Sequence, residues 1–209
     1  REHIAKVIHA LQGGEGRPFF GQKAQGRAWV PDSGVHDDNW FQPDFDDSNW
    51  TTGTNGAGYE AGEGFETLIS PNFNFIEKMH YKATSLYLRF PFEIENIDAI
   101  NSAKNVLLRV KCDDGFVAYL NGHQVARMNA PEKTRWNSRA ASSGDDGANS
   151  TFMAFNINKN RDKLRKGHNV LALHGLNISP ESTDLLMVAE MKTNDHDYQD
   201  AIWELIDEE

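Results

Sequence analysis

The segment Asp113-Asp114-Gly115-Phe116-Val117-Ala118-Tyr119-Leu120-Asn121-Gly122-His123-Gln124-Val125-Ala126-Arg127 constrains this chain more than any other. Asn121-Gly122 stands between two apolar runs. A two-residue type I′ turn needs positive φ at both central positions, which Asn and Gly tolerate best. Phe116–Leu120 and Gln124–Met128 are therefore expected to be the arms of a tight hairpin. A lone hairpin is only marginally stable, so it needs neighbouring strands, and the sequence supplies them. In Ser85–Ile94 one face carries Leu86, Leu88, Phe90, Phe92 and Ile94, and the other carries Tyr87, Arg89, Pro91 and Glu93. That period-two alternation predicts a half-buried strand with Arg89 on its outer side. Val106–Cys112 repeats the pattern, with Leu107, Arg109 and Lys111 outward. Phe152–Ile157, Asn169–Leu176 and Leu185–Met191 are further strands. Short strands, long loops and no βαβ periodicity predict an all-β antiparallel β-sandwich, with connections long enough for a jelly roll.

Residues 29–191 hold the sandwich. Residues 1–28 read as an N-terminal extension or an added edge strand, with Arg17-Pro18-Phe19-Phe20 beginning a strand. Residues 192–209 read as an acidic extension, linker or docked helix. From Trp29 to Tyr59, Asp and Asn alternate with Trp40, Phe41, Phe45 and Trp50. Asx side chains close local turns, so this stretch is either a rigid plug at the sandwich end or a ligand surface. The five glycines between Gly53 and Phe65 predict a functional or Ω-type loop. Residues 66–83 read as loop with one helical turn, and 129–150 as a long loop.

The formal net charge of −10 argues against a nucleic-acid face, which must be basic, and against docking on anionic lipid. It also points away from sulfated or uronic polymers unless calcium bridges the charge. No apolar run is long enough for a membrane helix. Cys112 is the only cysteine, so no internal disulfide forms, and its place in the alternation predicts a core thiol. Without a signal peptide, and opening on Arg1, the chain is expected to be part of a longer secreted or cell-surface bacterial protein, with other domains of the parent chain as partners.

Catalytic motifs are missing: there is no G-x-S-x-G, no P-loop and no dinucleotide fingerprint. Neighbouring aspartates in a turn do not present two carboxyls across a sugar as glycoside hydrolysis requires. The eight histidines are scattered without zinc-ligand spacing. Asp113 and Asp114 are the leading candidates. Two adjacent carboxylates at a strand mouth cost energy unless a donor or cation compensates them. Calcium, which takes six to eight oxygens, suits them as the metal-binding pair; the alternative is that they cap the loop by accepting backbone N–H groups. Asp145, Asp146, Glu60 and Glu190 are further candidates for the metal. For a sugar, an aromatic platform with polar neighbours is needed. Arg135, Trp136 and Asn137 in the long loop, and Tyr59 and Glu60 in the glycine stretch, offer both, although each aromatic could equally plug the core. Asn121 at the hairpin tip completes the ligand-binding set.

Several motifs together resemble one family. They are Phe45-Asp46-Asp47-Ser48-Asn49-Trp50-x-x-Gly53, Gly56-x-Gly58-Tyr59-Glu60, Tyr87-x-Arg89-x-x-Phe92, Asp113 to Gly122, Trp136-Asn137-Ser138-x-Ala140, and Asn169 to Asn177. In this order, across roughly residues 29–191, they look like the galactose-binding-like jelly-roll modules of large secreted bacterial proteins, which accompany lamin-tail, spore-coat-kinase-like or hydrolase domains. The resemblance implies a non-catalytic module that binds a polysaccharide or other glycan, or an adhesive or structural spacer. Asp113-Asp114-Gly115 also resembles the sugar-binding domains of flocculin and protective-antigen type. There, a cis peptide between the aspartates aims both carboxylates at a calcium ion that holds sugar hydroxyls.

Overall fold

The computed structural model describes residues 17–143 and 151–195. Two antiparallel sheets face each other, giving the all-β sandwich expected. One contains β1 (Arg17–Phe20), β4 (Ala57–Glu60), β6 (Asn105–Asp113), β9 (Met153–Asn156) and β11 (Asp184–Asn194). The other runs β3 (Thr51–Thr54), β2 (Gln25–Trp29), β5 (Ser85–Ile94), β10 (Gly167–Leu176), β7 (Gly115–Leu120) and β8 (His123–Met128). In the first sheet β6 lies along one side of β11, and β4 and β1 share the other. Strand pairing thus begins at Arg17, ahead of residue 29, with β2 placed inside its sheet between β3 and β5. The Asn121-Gly122 turn forms as expected, with φ of 49° and 86°.

Between the sheets, Leu88 and Phe90 of β5, Leu171 and Leu173 of β10, Leu108 and Val110 of β6, and Met187 and Ala189 of β11 form one buried cluster. Each large side chain so buried contributes about 1.5–3 kcal/mol. Cys112 belongs to this cluster, and burial pushes its thiol well above the ordinary range. It is a packing residue, not a nucleophile.

Three expectations change. The glycine-rich stretch after residue 50 contains two strands, β3 and β4. Alternation was hidden because the backbone contacts fall on glycines: a Cβ on Gly58 would meet the Leu185 carbonyl oxygen of β11 at 1.8 Å, and one on Gly53 would meet the Phe73 ring at 2.5 Å. The aromatic segment after Trp29 does not plug the sandwich end. It lies over the outer face of the second sheet, where Trp40 stacks on Tyr87 at 4.0 Å and 4°, beside Ala172 and Tyr119. Arg89 is consequently buried, with 2% of its surface exposed. Its guanidinium donates to the carbonyls of Trp40 (2.6 Å) and Gln42 (2.8 Å) and to the Asp47 carboxylate (2.7 Å). From Ser85 to Phe90 both faces of β5 are covered, so Arg89 meets a covering loop, while Pro91 and Glu93 farther along the same face stay exposed.

Candidate functional site

One end of the sandwich gathers the end of β2, the start of β5, the end of β6, the start of β7, the end of β10 and the start of β11. Trp29 pairs with Tyr87, Leu176 with both Ser85 and Gly115, and Leu186 with Asp113. Over this rim lie residues 134–141 of the loop after β8, which are pinned at several points. Thr84 and Ser85 hydroxyls donate to the Ser138 carbonyl at 2.9 and 3.0 Å. The Ala140 N–H donates to the Asn177 carbonyl at 3.0 Å. Asp37 accepts the Trp136 backbone N–H at 2.8 Å and the Tyr87 hydroxyl at 3.2 Å. Such anchoring fixes the backbone that carries Trp136.

The pinning reaches into the core. Ser85 spends its only proton on Ser138, so its oxygen must accept from His174 Nε2, 2.8 Å away. His174 is therefore the neutral Nε2–H tautomer, and burial lowers its pKa to about 3. The unfolded chain binds a proton near pH 6.5 that the folded chain refuses. This contribution to stability is complete above pH 6.5 and is lost as pH falls toward 3. Between pH 7.5 and 5 the loss is expected to be about 2 kcal/mol. Denaturant titrations at the two pH values should show that loss in the native protein and a much smaller one in His174→Gln. An equal loss in both would contradict it.

Between the pinned loop, the end of β2 and residues 77–84 runs a groove of about 740 Å³. Trp29 and Trp136, both half-buried, line it, together with Asn137 and Thr84. Lys78, Lys82 and Arg139 add three exposed cations, and Asp32 and Glu77 two exposed acids. Beside it Tyr81 is 70% exposed on a left-handed backbone, φ 60°, held by its N–H to the Pro180 carbonyl at 2.6 Å and stacked on His80 at 4.2 Å. A larger groove of about 1040 Å³ lies at the opposite end, against Arg17, Glu93, Glu95 and Asp195.

Of the residues singled out in the sequence, Trp136 and Asn137 line the Trp29 groove, and Arg135 precedes them as an exposed residue of the same loop. The others lie elsewhere. Tyr59 is buried; its hydroxyl donates to the Ser182 carbonyl at 2.8 Å and accepts from Asn177 at 2.9 Å, and burial raises its pKa. Glu60 closes its own turn, accepting the N–H groups of Gly62 and Phe65. Asn121 sits at the far end of β7, buried, bonded to Lys163, Asn169 and Val170. Glu190 is ion-paired with Arg109 across β6 and β11. Asp145 and Asp146 lie outside the described residues.

Asp113 and Asp114 are 2% and 5% exposed and line neither groove. The peptide joining them is cis, the geometry the second resemblance implies. Asp114 accepts the Ile178 N–H at 2.7 Å, the capping role open to it from the start. Beside them the Asn177 amide donates to Tyr59 and to the Asp184 carbonyl, while its Oδ1 is buried and receives no donor from a described residue. Among the described residues no three His, Cys, Asp or Glu side chains are grouped to share a metal ion.

Sequence reasoning missed Trp29 as a wall, and it missed Lys78, Lys82 and Arg139. Only Trp29 carried a signal, as the first aromatic of the Asx-rich stretch. The cations lie in segments with no periodicity and converge only through the fold.

No protein-family model matches the sequence, and no curated protein does. Among solved structures, the chain is similar to part of a calcium-binding mutant of Bacteroides uniformis beta-glucuronidase 2, at 16% identity over 81% of this chain and 17% of that one, TM-score 0.46. It is similar to part of an uncultured Clostridium sp. beta-glucuronidase, at 11% identity over 87% of this chain and 30% of that one, TM-score 0.48. A beta-glycosidase from Bacteroides vulgatus is similar at 13% identity over 84% of this chain and 20% of its own, TM-score 0.39. The chain thus spans less than a third of each of these three proteins.

Proposed function

We propose that this chain is a non-catalytic carbohydrate-binding module of galactose-binding-like type, part of a secreted or cell-surface bacterial protein. The observation that carries the reading is the groove lined by Trp29 and Trp136. Indole faces stack on the C–H faces of sugar rings, and a few fixed polar groups such as Asn137 read the hydroxyls. Tyr81 supports it: a bulky residue with positive φ is an outlier, and such outliers cluster at ligand sites. A glycan microarray probed with the native protein and with Trp136→Ala tests the reading. Binding by the native protein that the variant loses is expected. A native protein that binds no glycan would leave the structural or adhesive spacer as the better account.

Calcium enters this reading as a structural ion. Asp113 and Asp114 would hold it with Asn177 Oδ1, a buried oxygen lacking a donor among the described residues. Bound there, calcium supplies positive charge to two neighbouring carboxylates. Their burial keeps it away from the sugar groove. Two carboxylates and one amide are fewer than the six to eight oxygens calcium takes, so backbone carbonyls or water must complete the shell. At a hundredfold excess over its Kd, calcium is expected to stabilise the protein by about 2.7 kcal/mol. Thermal unfolding with calcium and with chelator should show the rise in native protein and not in Asp113→Asn. Identical melting in both buffers would remove the metal from the account.

A further inference from the structure

We infer that the groove takes a polysaccharide whose sugar rings carry carboxylates; this rests on the groove being the sugar site. The whole chain is acidic, at −10, yet three cations, Lys78, Lys82 and Arg139, line the groove against two acids, Asp32 and Glu77. The local sign is reversed. None of the three cations makes an ion pair with another described residue. Lys82 donates only to the Glu77 backbone carbonyl, at 2.6 Å, and Lys78 lies 6.0 Å from the Phe75 ring centroid. Arg139 also acts on the nearby Glu181 carboxylate, which leaves Lys78 and Lys82 as the less committed cations. Cations beside two indoles match a ring that is apolar on its faces and anionic at its edge. Arg139 brings a planar fork suited to a carboxylate. The two acids limit how much negative charge the groove accepts: a net lining charge of about +1 suits no more than one carboxylate per sugar ring, not densely sulfated sugars.

Affinity electrophoresis against polygalacturonate, alginate and hyaluronan, each native and carboxyl-reduced, tests this. Native protein is expected to be retarded by at least one native polymer, about tenfold more weakly by its reduced form, and less at high salt. The triple variant Lys78→Gln, Lys82→Gln, Arg139→Gln is expected to lose about tenfold on the carboxylated polymer and nothing on the reduced one. Equal binding of native and reduced polymers, lost in Trp136→Ala but kept in the triple variant, would overturn the carboxylate while leaving the sugar site. Retardation by heparin in preference to all three would overturn it in favour of sulfate. No retardation by any polymer, in either form, would overturn both the carboxylate and the sugar site.

Discussion

Replacing Arg89 with Ala is expected to lower the free energy of unfolding by about 3–5 kcal/mol, the cost of breaking a buried ion pair from one side. Arg89 carries more than that pair. Its guanidinium bonds Asp47, the carbonyls of Trp40 and Gln42, and more distantly that of Phe45 at 3.4 Å, and it lies 5.4 Å from the Phe45 ring centroid. One side chain therefore fastens residues 40–47 of the aromatic segment to the outer face of its sheet, with Tyr87 and Arg27 holding the segment on either side. Truncation takes a donor from the Trp40 carbonyl, leaves the Gln42 carbonyl with only the Phe45 N–H at 3.2 Å, and leaves the Asp47 carboxylate with Arg27 alone, at 3.2 Å. Arg89→Lys is expected to recover only part of the loss, since an ammonium cannot reproduce the planar fork. Denaturant unfolding gives the energy. Near-UV circular dichroism reads the loosening of Trp40 and Trp50 directly. A change within about 0.5 kcal/mol, the range of ordinary surface substitutions, would mean that the segment is held by something else. Asp37, which fixes both Trp136 and Tyr87, is part of that segment, so glycan affinity should fall together with stability.

Trp136→Ala has the second large effect and acts on affinity alone. The indole is half-buried on a loop whose backbone is fixed independently by Asp37, Thr84, Ser85 and Asn177. Removing it should leave that loop in place. Loss of a central aromatic anchor in a preformed site costs about 2 kcal/mol or more, roughly thirtyfold in Kd. Trp136→Phe, which keeps a smaller ring, is expected to fall between the two. Calorimetric titration with the best microarray glycan separates them. Unchanged affinity in Trp136→Ala, with unchanged melting, would place the sugar elsewhere.

How far the sequence could be read follows from which residues carry side-chain pattern. β5 emerged from Ser85 to Ile94 as it stands in the fold, and the hairpin turn was legible, because alternation and the φ demands of Asn121 and Gly122 are local. β3 and β4 were not, because Gly53 and Gly58 contribute backbone proximity in place of a side-chain face. The polar face of β5 was legible as a pattern but not as a burial: nothing local says that residues 40–47 will fold back onto Arg89. Asp113 and Asp114 were found by position, but whether a carboxylate meets an ion or the Ile178 N–H depends on how the β10–β11 connection returns. The groove was hardest. Trp29, Lys78 and Trp136 come from three separate segments, and only the packed rim brings them together.

The most direct test of the central claim is a two-dimensional ¹H–¹⁵N spectrum of the tryptophan indole N–H groups during titration with the bound glycan. Trp29 and Trp136 signals should move together and saturate, while that of Trp40, buried and stacked on Tyr87, stays in place; Trp50, whose ring lies 5.5 Å from that of Trp29, is not a control. Saturable binding in which Trp29 and Trp136 do not respond would contradict the account.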